Sequence, residues 1–380
     1  MDLTLTEEQH AFIGASRRML ERVCSTEIVR EAATPGGPGH SKEVWQCLAD
    51  AGWLGMPFAA DFDGAAAPLF DLGLAYREAG RVLVPTTLYS TILAGMFITS
   101  VGTVEQKERW LRPLCRGDLI GTVALSEAHA FENLDLISTT AESSAGGWVL
   151  NGEKAFVANA GVADVTLVLA RVGKDDHRPR FGVFATPSGA PGVQIDAYLT
   201  FGQDALFEMK LDHCELPGDA LLGGVGTAGP WRVLCEPPLR NARALQCMEM
   251  LGGIEAVLDR TVRYVSQRHQ FGVPIGSFQA VQHHLANIAM RLEAGRVAAF
   301  RALWAASERA DPEREITIAE LWLRETYVEA TLIAHQVWGG MGYALDSGLY
   351  LWSQRAKTLD LVCGRKATRY EQLLSEAQAG

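Results

Sequence analysis

Arg268 and Phe271 stand three residues apart in the run YVSQRHQFGVPIGSFQAVQHHL, residues 264–285. An arginine fork can grip a phosphate through two parallel hydrogen bonds, and an aromatic ring beside it offers a face to a flat heterocycle, so the pair suits a ligand that carries both. To act together the two side chains must project from a rigid corner. The neighbouring residues supply one. Gly272 reads as the permissive C-terminal residue of a helix carrying Tyr264, Val265 and Arg268, and Pro274 forbids its continuation. Ser277 reads as the cap of a second helix, with Phe278, Val281, Leu285 and Ile288 at helical spacing. The plainer alternative is a capped helix hairpin with a surface arginine. A second stop, HQVWGGMGY at 335–343, uses paired glycines to end a helix and admit close approach by another backbone or a ligand.

The elements that must hold these residues fall into three blocks. From 1 to 120 the periodicity is helical, opened by a Thr6/Gln9 capping box and broken at 34–39 and 61–68. Between 121 and 226 the period shortens: 165–170, 181–185 and 206–211 read as strands, and Asn151-Gly152 as a hairpin turn. From 227 to 380 long helices return, over 239–267 and 278–309, with a third opened by Asp311 and Pro312 and a short last one before Cys363. The predicted class is α+β multidomain: an N-terminal α-helical domain, a middle β-sheet domain and a C-terminal four-helix bundle.

At 380 residues and 48% hydrophobic content the chain can bury two or three cores. A net charge of -11 excludes a general polyanion binder, nucleic acid included, so any phosphate site is built locally from a few arginines. Seven scattered cysteines without a C-x-x-C pair argue against a disulfide framework or a zinc site and fit a reducing cytoplasm. The start, MDLTLTEEQH, reads as a helix start and lacks the basic patch and apolar run of a secretory signal. The uncharged stretch 82–104 contains Pro85, Gly95 and Gly102 and reads as a buried helix, not a membrane span. His283 and His284 are adjacent on a helix and point about 100° apart, so no metal site is expected. Trp322, Trp338 and Trp352 read as bundle core or interface.

The run R-x-Q-F-G-x-P-I-x-x-F-Q-x-x-Q-H resembles the signature of the acyl-CoA dehydrogenase family. GWLGMPF (52–58), YREAGR (76–81), EQKERWLRPLCRGD (105–118) and GTVALSE (121–127) resemble further landmarks of that family in the same order. The resemblance implies FAD as cofactor, an acyl-CoA substrate and an electron-transfer flavoprotein as acceptor. It also implies that Arg268, Gln270 and Phe271, with Gln336 and Gly340, reach the FAD of a neighbouring subunit, and that the Ser126 hydroxyl meets the flavin ring.

In the family a carboxylate removes the α-proton while hydride leaves the β-carbon for the flavin. The position that usually carries this glutamate is here Cys363, followed by Gly364; the alternative position in the first bundle helix reads Ala242-Arg243. A thiol with an ordinary pKa of about 8.5 makes a poor substitute, and Asp360 and Glu249, the nearest carboxylates in sequence, are expected to pair with a nearby arginine or to serve as ordinary helix polarity. Other departures fall on the same side. The loop after Glu127 reads AHAFENLD in place of a glycine-rich phosphate loop, Ala158 replaces the threonine that meets flavin N5, and Arg365 and Ala367 replace a Thr and a Gln. Groups toward a neighbour's flavin are kept and groups toward the chain's own flavin are lost. The resemblance is thus to the base-less subunit of bacterial α2β2 acyl-CoA dehydrogenases, some of which act on steroid side-chain CoA esters, with FAD shared across the subunit interface and a partner subunit supplying the glutamate. Two other readings stand beside it: a self-sufficient homo-oligomeric dehydrogenase, oxidase or oxygenase with an unrecognised base, and a flavin-free structural or interaction protein.

Overall fold

The computed structural model describes residues 4–33, 39–130, 133–173, 179–202 and 204–379, with side chains through 375. Most of the predicted loop at 34–39, and Phe131 and Glu132 of the AHAFENLD stretch, lie outside the described residues. Before residue 121 the described chain is helical: α1 (Glu7–Val23), α2 (Thr26–Ala32), α3 (Lys42–Asp50), α4 (Leu69–Val82), α5 (Thr87–Val101), α6 (Val104–Gln106) and α7 (Arg112–Arg116), with a π segment over Lys107–Leu111. Strands follow as β1 (Gly121–Ala124), β2 (Thr140–Ser144), β3 (Gly147–Ala158), β4 (Val165–Val172), β5 (Arg180–Pro187), β6 (Val193–Ala197) and β7 (Leu206–Pro217). The chain then returns to helix in α8 (Trp231–Gln267), interrupted by a short hairpin of β8 (His269–Gln270) and β9 (Val273–Pro274), and continues through α9 (Gln279–Glu308), α10 (Glu313–Trp338), α11 (Leu349–Val362) and α12 (Lys366–Ala379). Helices, then sheet, then helices is the predicted order. The residues form two compact units, one of 1–30, 68–84 and 243–380, the other of 31–67 and 85–242.

In the helical unit the predicted Thr6/Gln9 capping box opens α1, whose inner face buries Leu20 and Val23. Close helix crossings rest on small residues. A Cβ on Gly80 of α4 would come within 2.0 Å of the Glu249 carbonyl, and one on Gly252 of α8 within 1.8 Å of the Arg77 carbonyl, so α4 and α8 meet backbone to backbone. Arg77 and Arg81 of α4 then bond Glu255 of α8 at 2.9 and 3.1 Å. Gly253 packs against the Tyr327 ring of α10 in the same way. α8 begins at Trp231, ahead of the predicted 239, because the helix absorbs Pro237 and Pro238, residues that read as breakers. α12 is an element that the sequence pattern did not suggest.

In the other unit one seven-stranded sheet runs β1-β4-β2-β3-β7-β6 with β5 paired to β4. β4 pairs antiparallel with β5 along its length and parallel with β1, then β2, in succession. The alternating inward residues of β3, β4 and β7 build the core, in which Trp148 meets Phe184 edge to face at 5.3 Å. Asn151-Gly152 is not a hairpin turn. β3 runs through it with a bulge, Asn151 Oδ1 accepts from the His213 amide at 2.8 Å, and the extended Gly152 (φ 150°) makes room for Thr139. The turn lies before it, between Ser144 and Gly147. The uncharged stretch 82–104 forms the largely buried α5, and among the described residues no helix is long and apolar enough to cross a membrane.

Candidate functional site

Arg268 follows the last residue of α8, its amide still donating to the Tyr264 carbonyl at 2.8 Å and its carbonyl accepting from Ile275 at 2.8 Å. Those two bonds frame the β8–β9 hairpin, and Phe271 and Gly272 are the two residues of its loop, both left-handed at φ 54° and 83°. Two positive φ values in a two-residue loop are the signature of a type I′ turn. Gly272 is therefore the second loop residue of a hairpin and not the end of a helix. Ser277 does not cap α9 either: it closes a 3-10 turn, its hydroxyl donates to the Pro274 carbonyl at 2.7 Å, and Phe278 precedes the helix. Asp311 does reach the start of α10, accepting from the Glu313 amide at 3.4 Å.

The hairpin lifts Phe271 to 93% exposure, in edge contact with Phe278 at 6.2 Å. A phenylalanine in the left-handed region costs about 1–2 kcal/mol of backbone strain, and an exposed ring regains none of it by burial in this chain. Arg268 is exposed and, among the described residues, forms no ion pair, so its fork is free. Among the described residues the Gln270 side chain bonds only the His269 carbonyl, at 2.7 Å. Gln336 and Gly340 sit at the exposed end of α10, where Gly339 turns the chain at φ 59° and an added Cβ on either glycine would meet nothing within 4 Å. What joins the two ends is a contact missed in the sequence. The Tyr264 ring stacks on Trp338 at 4.2 Å and 10°, and Trp338 Nε1 donates to Thr261 Oγ1 at 3.3 Å. Trp338 is thus a strut that ties Gln336 and Gly340 to the end of α8.

The usual base positions are occupied differently. Cys363 is buried at the end of α11, its Sγ donating to Gln246 Oε1 at 3.9 Å. Burial pushes its thiol far above the usual range, and the charge of Glu320 adds to the shift. Arg324, 2% exposed, donates to Glu320 and Asp360 at 3.3 and 3.2 Å and to the carbonyls of Asp360, Cys363 and Gly364. It therefore serves as an internal cap for the carbonyls that end α11. Asp360 also pairs with Lys366 at 2.9 Å, and Glu249 with Arg355 at 2.7 Å. Arg243, beside the buried Ala242, is fixed by Glu313, Glu320 and Thr317 at 2.5, 2.6 and 3.1 Å. Each of these carboxylates is thus engaged by a cation. The arrangement cements helix ends and, among the described residues, pairs each of these carboxylates with an arginine.

In the sheet unit Ser126 lies in the loop after β1, its carbonyl accepting from Ala155 at 3.0 Å. The next residue, Glu127, accepts from the amides and hydroxyls of Ser138 and Thr139 at 2.6–2.9 Å and from the fully buried Lys154 at 3.0 Å. Burial pushes the Glu127 carboxyl up, but Lys154 and these donors outweigh it and hold it at about 2; burial lowers Lys154 to about 8. Phe156, at φ 57°, is half-exposed and packs on Tyr198 at 5.4 Å, and Ala158 carries no hydroxyl.

Three sequence profiles match in order: acyl-CoA dehydrogenase N-terminal domain over 6–118, middle domain over 122–214 and C-terminal domain over 231–376. The benzylmalonyl-CoA dehydrogenase of Aromatoleum aromaticum is 29% identical over 352 residues, 91% of each chain. Butyryl-CoA dehydrogenase from Megasphaera elsdenii superposes with a TM-score of 0.90 at 25% identity over 100% of both chains. A chain of the ChsE4-ChsE5 complex from Mycobacterium tuberculosis does so with 0.88 at 24% identity, again over 100% of both.

Proposed function

The chain belongs to the acyl-CoA dehydrogenase family, and from that premise we propose that it is the base-less subunit of a heteromeric, FAD-dependent acyl-CoA dehydrogenase, completing the flavin site of a partner subunit that carries the catalytic glutamate. The activity of the assembly is oxidation at a CH–CH bond of an acyl-CoA thioester. The observation that carries the reading is an asymmetry. The outward corner keeps a free Arg268 and a 93% exposed Phe271 on a strained turn, whereas Cys363 is buried beneath the Arg324 clamp.

The outward residues fit FAD held mainly by another chain. The Arg268 fork suits its pyrophosphate, Phe271 offers a ring face, and the open space over Gly339 and Gly340 admits close approach. When bound, the flavin supplies the acceptor for the β-hydride. The chain's own side fits it poorly, because Ala158 has no hydroxyl and the described part of the loop after Glu127 has no glycine. The same reading gives bulky steroid side-chain CoA esters as the substrate class, an electron-transfer flavoprotein as acceptor and a reducing cytoplasm, in keeping with seven free cysteines.

Expression alone and with a glutamate-bearing family partner tests the proposal. Alone, the chain should purify without flavin and fail to turn over acyl-CoA; together, flavin and activity should co-elute with both chains. Stoichiometric FAD and full turnover in the isolated chain would overturn it in favour of a self-sufficient enzyme.

A further inference from the structure

A cavity of about 240 Å³ in the helical unit lies where the ends of α1 and α4 meet α8 and α11. Three arginines line it, Arg81, Arg260 and Arg263, against two carboxylates, Glu21 and Asp259. Arg81 is spent: it holds Asp259 at 2.6 Å and Glu255 at 3.1 Å. Among the described residues neither Arg260 nor Arg263 forms an ion pair. Arg260 is nonetheless fixed, one nitrogen donating to the Ser347 carbonyl at 3.0 Å and the guanidinium lying 4.4 Å over the buried Trp352 ring. Its Nε is buried with no acceptor. Burial first, and then the charge of Arg263, lower its proton affinity. Arg260, fixed by Ser347 and Trp352, and the exposed Arg263 thus place on one cavity wall two guanidinium groups that, among the described residues, have no carboxylate partner.

We propose that this cavity is a binding site for a small oxyanion, a phosphate or carboxylate group, held by Arg260 and Arg263. The cavity has room for such a group with a short apolar tail. Val29, Val82 and Leu83 on the wall would take the tail. The site is separate from the Arg268 corner and does not rest on the proposed function.

Calorimetric titration of the protein uses inorganic phosphate and butyrate at constant ionic strength. One-site saturation by either anion is expected, and whichever binds more tightly identifies the class. Arg260→Gln should weaken it about tenfold or more, Arg263→Gln about fivefold, and Arg260→Lys should recover part of the loss. Arg263 is exposed, so its variant still decides the matter if Arg260→Gln misfolds. No saturation up to about 50 mM of either anion, unchanged affinity in both glutamine variants, or loss of binding in Arg268→Ala with Arg260→Gln unaffected would each overturn the proposal.

Discussion

A thiol acts as a base only as a thiolate, and at Cys363 burial, with the charge of Glu320, disfavours that form by more than the charges of Arg324, Arg243 and Arg369 favour it. Cys363 is 6% exposed, among the described residues its thiol has one polar contact, the Gln246 side-chain oxygen, and Arg324 spends its donors on backbone carbonyls and carboxylates. Cys363 should therefore resist iodoacetamide at pH 8 in the folded protein and react once unfolded, as peptide mass spectrometry would record; rapid native alkylation would mean an activated thiol. Cys363→Glu should not create a dehydrogenase, because the new carboxylate would be buried beside Glu320 and held protonated, unable to act as a base. Glu127 is the opposite case, a buried charge with every lone pair used. Glu127→Gln leaves Lys154 buried without its partner and should cost about 3–5 kcal/mol in urea unfolding. The folded carboxyl is depressed from 4.5 to about 2, so the stabilisation is complete above pH 4.5 and fades as the pH falls toward 2. The gap in melting temperature between wild type and Glu127→Gln should therefore narrow in acid.

The elements divide by whether their cause is local. Thr6 with Gln9, the 3.6 periodicity of the long helices and the apolar runs of β4 and β5 act over a few residues, and each was legible. The Asn151-Gly152 turn and the Ser277 cap were misread because each has a competitor: the space Thr139 needs beside Gly152, and the Pro274 carbonyl that takes the Ser277 hydroxyl. The Arg324 clamp, the Glu127–Lys154 pair and the Tyr264–Trp338 strut join residues far apart in the chain, and no local pattern announces them. The corner was legible in its residues but not in its form, since a helix ending in glycine and a type I′ hairpin both require Gly272. That form carries a prediction. Phe271→Gly should relieve the left-handed strain and stabilise the isolated chain by about 1 kcal/mol, while increasing the rate at which the assembled complex loses FAD. A stabilised chain with unchanged flavin retention would leave Phe271 no role at the cofactor. The α4–α8 crossing should be unforgiving: Gly252→Ala drives a methyl into the Arg77 carbonyl and should cost about 1–3 kcal/mol or more, read as a lower urea midpoint at constant slope.

For the whole molecule the question is which chain owns the flavin. Three successive family profiles over 6–376 and the helix–sheet–helix order make the scaffold legible from end to end, and the proposal that two chains share one site rests on Cys363 in place of the expected base and on the exposed corner of Arg268 and Phe271. Arg268 separates the possibilities, because it has no structural partner among the described residues and its removal leaves the fold's hydrogen bonds intact, the Arg268 main chain alone tying α8 to the hairpin. If it serves a flavin held by another subunit, Arg268→Ala should leave the melting temperature of the isolated chain unchanged and weaken FAD binding by the assembled complex. A charge-assisted contact to a phosphate contributes about 1.5–3 kcal/mol, so the affinity should fall tenfold or more. Arg268→Lys should recover only part of this, since an ammonium supplies charge without the planar fork. A solvated helix-end arginine would instead leave FAD affinity within about twofold of the parent in both variants. Flavin release from the co-purified complex, measured at fixed subunit ratio so that loss of assembly is not mistaken for loss of the contact, distinguishes a shared site from a surface charge.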